Sequence, residues 1–96
     1  MGAFEDALAA LAERFRERCG RESLELQALI AEGRLYDPQT RRLLHGLAGT
    51  GGSFGFDEIS TISRKVELAV DEKAVDPTDL DDLFTALAVC KQTPTD

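Results

Sequence analysis

A chain of 96 residues is long enough for one domain built on one ordinary hydrophobic core. Its 18 acidic against 11 basic residues give a formal net charge of −7, which argues against nucleic acid or an anionic membrane surface as partner, because both are bound by clustered Lys and Arg. No apolar run approaches the roughly 18 residues of a membrane span, and residues 1–6 turn acidic where a secretory signal is basic, so a soluble, cytoplasmic protein is expected.

The periodicity reads as five helical segments with no strand-type alternation. Phe4, Leu8, Leu11, Phe15 and Cys19 form the stripe of a first helix, about residues 3–19, which Gly20 would cap. The alternation of Arg14, Arg16, Arg18 and Arg21 with Glu13, Glu17 and Glu22 reads as its solvated face, with ion pairs three or four residues apart. Ser23 can open a second helix carrying Leu26, Leu29 and Ile30, stopped by Gly33. Asp37 and Pro38 supply a cap and a first-turn proline for a third, which ends in the glycines between Gly51 and Gly55. A fourth starts near Asp57, with Ile59, Ile62, Val66 and Ala69 on its apolar side and Ser60, Arg64, Glu67 and Asp71 on its polar side. Asp76 and Pro77 repeat the cap device before a fifth helix with Leu80, Leu83, Phe84, Leu87 and Cys90, and the tail from Thr93 is expected to fray. Two cysteines and one histidine make neither a disulfide framework nor a metal site, so Cys19 and Cys90 are expected as small buried hydrophobes. Short connections between amphipathic helices imply an all-α, up-and-down antiparallel bundle.

The lone histidine, His45, stands in the third segment within His45 Gly46 Leu47 Ala48 Gly49 Thr50 Gly51 Gly52 Ser53 Phe54 Gly55 Phe56. At about 100° per residue Leu43, Leu47 and Phe54 lie nearly opposite His45, so the imidazole turns outward. It shares its face with Arg41, Ala48, Gly49 and Gly52, and Arg42 sits at the edge. Glycine inside a helix costs about 0.5–1 kcal/mol relative to alanine, so the glycines here ask for a reason. Close packing is the reading for Gly51, Gly52 and Gly55, and access to the imidazole is the reading for Gly49.

The sequences HGLAG and TGGSFGF resemble the phosphoacceptor segment of histidine phosphotransfer (HPt) domains. The resemblance implies a four-helix bundle over about residues 21–92, with the first helix as an N-terminal addition to a single domain spanning 1–96. It also implies a phosphoryl carrier rather than an enzyme. His45 would accept a phosphoryl group from a sensor histidine kinase or a receiver aspartyl phosphate and pass it to a response-regulator receiver aspartate. The carrier needs no cofactor or metal of its own, since the partner receiver supplies Mg²⁺. Ungapped alignment with the chemotaxis-kinase type of HPt segment puts Glu67 where a carboxylate holds the imidazole, and Arg64 at another polar position of that site. Where many members carry Lys this chain has Ala48, so Arg41, Arg42 or Arg64 would supply the cation. A self-contained bundle with one acceptor is expected to be a monomer. The competing reading is a helical adaptor that binds receiver or kinase domains without carrying phosphate; the missing Lys favours it, and the intact His45 face opposes it.

Overall fold

A computed structural model describes residues 2–92, with side chains to Cys90, and contains four helices: α1 (Ala3–Ala31), α2 (Pro38–Ser53), α3 (Asp57–Asp71) and α4 (Pro77–Gln92). Thr93 and the residues after it lie outside that range. Each helix packs on its neighbours in sequence and α1 also packs on α4, so the four close into a ring around one core. Among the described residues no helix is long and apolar enough to cross a membrane.

The two segments expected at 3–19 and from Ser23 to Gly33 are one uninterrupted helix of 29 residues, so there is no separate N-terminal helix. Gly20 sits within it and does not cap it. Phe15, Cys19, Leu26 and Leu29 are all buried and stay in phase across Gly20, so packing on both sides of the glycine outweighs its local cost of about 1 kcal/mol. The helix stops where expected: Gly33 takes φ +76°, and Arg34 N–H donates to the Leu29 carbonyl. At 1.5 Å per residue α1 is about 43 Å long and the other helices about 24 Å, so its N-terminal part overhangs the bundle.

The starts of α2, α3 and α4 fall where expected. Asp37 is the N-cap residue of α2, but its carboxylate takes Arg34 Nε–H at 2.6 Å instead of a backbone N–H of the helix. Asp76 accepts from Thr78 N–H at 2.8 Å before α4. The connections 32–37 and 72–76 meet at one end of the molecule, where Val75 N–H donates to the Tyr36 hydroxyl at 3.2 Å. At the other end Phe15 packs between Phe54 and Phe56, with ring centroids 6.4 and 5.0 Å away.

Leu26, Leu44, Leu47, Val66, Leu83 and Leu87 fill the centre. Cys19 and Cys90 belong to that core as expected, and their sulfurs lie 3.4 Å apart between α1 and α4. Burial, together with the facing sulfur, pushes the Cys19 thiol far above its ordinary range, and burial also raises Cys90. Thiolate is the reactive form, so neither cysteine should be alkylated by iodoacetamide in mildly alkaline buffer while the protein is folded. Both should be modified in concentrated guanidinium, and mass spectrometry of the two samples reads the difference.

Candidate functional site

The site is set by how closely α2 and α3 approach. A Cβ on Gly51 would stand 3.3 Å from the Phe56 carbonyl oxygen and 3.4 Å from Ser60 N, and one on Gly52 would stand 3.3 Å from Ser60 Oγ. Ser60 Oγ–H donates to the Ala48 carbonyl at 2.7 Å, so the hydroxyl is satisfied inside the contact. The glycines at 51 and 52 thus serve close packing. Gly55 does not: nothing lies within 4 Å of its Cβ position, and its φ of +85° is what requires glycine in the turn between α2 and α3.

This approach carries three pairs in one register. Arg41 Nε–H donates to Asp71 Oδ1 at 2.8 Å, His45 Nδ1 lies 2.9 Å from Glu67 Oε2, and Gly52 abuts Ser60. Positions rise along α2 as they fall along α3. The His45 side chain is 73% exposed, whereas the Glu67 side chain keeps 10% of its surface. A carboxylate beside a ring nitrogen selects the tautomer with the proton on that nitrogen. Nδ1–H therefore donates to Glu67, and Nε2, which bonds no described residue, is left with its lone pair toward solvent.

Arg41 Nη2 stands 3.6 Å from the same Glu67 oxygen. Its hydrogen bond to Asp71, and more weakly the charge of Glu67, push the guanidinium pKa further up. A carboxylate that is nearly buried is costly without partners, and here imidazole and guanidinium both face it. Asp71 is the member of the cluster that the sequence reading did not single out as functional. The available signal was spacing: 41 to 45 and 67 to 71 are matching one-turn steps on facing helices.

Of the other expected site residues, Arg64 is exposed one turn before Glu67 and forms no ion pair with another described residue. Arg42 points away from the cluster, into a cleft toward α1 shared with Glu22, Glu25 and Gln39. Gly49 is open, with nothing within 4 Å of its Cβ position, as an access position requires. Ala48 corrects the expectation for the access face. It is 3% exposed, because α3 closes over the residue that the isolated helical wheel leaves outward. Ser60 and Glu67, on the side of α3 expected to be solvated, are buried for the same reason.

Behind His45, Arg18 spans α1 and α2. Its Nε–H donates to Glu22 Oε2 at 2.6 Å and its Nη1–H to Thr50 Oγ1 at 3.0 Å, and a Cβ on Gly46 would stand 2.6 Å from its Nη2. Part of the arginine series on α1 is therefore a helix-to-helix tie. Among the described residues no group of His, Cys, Asp and Glu could hold a metal ion.

A family model described as Hpt domain matches residues 10–90. The chain belongs to the Hpt domain family. Hpt domains are phosphocarriers of phosphorelays, where they interact with kinase and receiver domains, and the all-helical fold described above is consistent with theirs. No curated protein and no solved structure matches the chain.

Two glycines of this Hpt domain separate packing from access. Gly51→Ala should destabilise the fold by about 1–3 kcal/mol, since its Cβ meets backbone that cannot give way. Gly49→Ala should leave stability unchanged or raise it by up to about 1 kcal/mol. Denaturant melts of the two variants distinguish the roles.

Proposed function

We propose that His45 is the phosphoacceptor of this Hpt domain and that the protein relays a phosphoryl group between a sensor histidine kinase or receiver domain and the aspartate of a response-regulator receiver. The observation that carries the reading is the exposed imidazole whose Nδ1–H is held by the nearly buried Glu67, which leaves Nε2 free to attack. With a receiver aspartyl phosphate as donor, the Nε2 lone pair forms the N–P bond while the P–O bond to the donor carboxylate breaks, its electron pair remaining on that carboxylate; with a kinase phosphohistidine the bond broken is N–P and the pair returns to the donor imidazole. The ring becomes cationic as the bond forms, and Glu67 stabilises that charge through the proton on Nδ1. Onward transfer is the same displacement by a receiver aspartate, with Mg²⁺ and the acidic residues supplied by the receiver. The protein is then a carrier in an up-and-down antiparallel bundle, acting in the cytoplasm without a cofactor of its own.

A phosphorylated His45 needs cations nearby. Ala48 leaves the usual lysine position without charge, and Arg64, exposed one turn before Glu67, is the replacement, with Arg41 behind it at Glu67. Arg42, on the α1 side, supplies only longer-range charge. Gly49 keeps the surface beside the imidazole low enough for a receiver to reach it.

Phosphoramidate or a phosphorylated receiver should place an acid-labile, base-stable phosphoryl group on the wild type and none on His45→Gln. Equal labelling of that variant would rule out His45 and leave an adaptor role. Glu67→Ala should accept phosphate roughly tenfold more slowly or worse, with a cooperative melt retained.

Arg64→Ala should shorten the lifetime of phosphorylated His45 in stopped assays without slowing its formation from phosphoramidate to the extent of Glu67→Ala. An unchanged lifetime would assign the charge to Arg41 instead.

A further inference from the structure

The apolar stripe of α1 continues past the end of the bundle. Phe4, Leu8 and Leu11 repeat at four- and three-residue steps in line with Phe15, yet they are 74%, 44% and 40% exposed, whereas Phe15 is 2% exposed beneath Phe54 and Phe56. Steps of four and three are the pattern of two helices packed along a seam. Ala3, Ala7, Ala9, Ala10 and Ala12 occupy much of the rest of the overhang, so a second helix can come close.

Two observations identify the occupant. Charge reverses along the overhang: Glu5 and Asp6 lie in the first turn, while Arg14 and Arg21 are exposed at the bundle end and form no ion pair with another described residue. At that end a cleft of about 210 Å³ opens between α1 and the end of α2, floored by Leu11, Phe15 and Phe54 and rimmed by Arg14, Arg18 and Arg21. The overhang therefore carries both an apolar, acidic tip and the apolar, basic cleft that such a tip fits.

We propose that a second copy of this chain covers the overhang, with the two α1 helices packed antiparallel about a twofold axis. Leu8 of each copy then faces Leu11 of the other, and Phe4 of each enters the cleft of the other at the level of Phe15. In that register Glu5 of each copy comes level with Arg14 of the other and Asp6 with Glu13, whose charge Arg16 already answers, and the helix dipoles oppose. A parallel pair would set acid beside acid and arginine beside arginine. The overlap of about a dozen residues is only ~18 Å of helix, short of a standard interface, so the dimer is weak and concentration-dependent. The monomer expected from the sequence rested on a self-contained bundle with one acceptor, and the proposal departs from it on the exposed stripe. No residue of the seam belongs to the His45 cluster, so this proposal stands or falls apart from the phosphoryl reading.

Sedimentation equilibrium of the intact chain over a wide concentration range tests it. The wild type should move reversibly from the mass of one chain to that of two. The double variant Leu8→Glu, Leu11→Glu, altered only on the overhang, should raise the dissociation constant by roughly a hundredfold or more while keeping the helical circular dichroism. Should that variant fail to fold, Phe4→Ala reads the same contact with a helix-favouring residue and should also weaken the dimer. A wild type that keeps the mass of one chain throughout, or folded variants that pair as tightly as the wild type, would overturn the proposal.

Discussion

The contact between α2 and α3 is the constraint from which the rest of the site follows. Helices pack with axes 8–10 Å apart depending on the side chains between them, and small residues bring them to the near end of that range. Here Ala48, Gly51 and Gly52 on α2 meet Ser60 on α3, and the one polar group forced into the contact is satisfied by the Ala48 carbonyl. With the spacing fixed at one end, the register brings Glu67 beneath His45 and Asp71 beside Arg41 at the other. A bulkier contact at 51 or 52 would prise the helices apart and lengthen the imidazole–carboxylate hydrogen bond that selects the tautomer.

That geometry also distributes charge economically. Glu67 is too enclosed to be solvated well, so it needs its imidazole and guanidinium partners, and Asp71 holds the guanidinium in turn. The cluster is thus a short chain of alternating sign, Asp71, Arg41, Glu67 and His45, that ends at the exposed ring. It fixes the imidazole from behind and leaves its front open, which is what a carrier approached by different partners requires.

The glycines and alanines of this chain do different work according to what stands opposite each. Gly51 and Gly52 let α3 approach, Gly46 lies under the Arg18 tie from α1, Gly55 permits a positive φ, and Gly49 meets nothing. The alanines of the α1 overhang leave room beside a stripe that the bundle does not cover. A short side chain is only an absence of atoms, and its purpose is defined by the neighbour that uses the space.

Local signals in the sequence determined a good deal by themselves. Proline, aspartate and glycine signals placed both ends of α2 and the starts of α3 and α4, because caps and breakers act through the backbone of their own few residues. Periodicity placed Leu43 and Leu47 inward and His45 outward, and the motif around His45 together with its alignment pointed to Glu67. What the sequence left open lay between helices. The continuity of α1 through Gly20 was decided by packing on both of its halves, which a local breaker signal does not register. The burial of Ala48 and the recruitment of Asp71 depended on α3, and the exposure of Phe4, Leu8 and Leu11 depended on where the other helices end. A helical wheel gives each residue's direction about its own axis, and only the tertiary structure decides whether a neighbour or solvent lies in that direction.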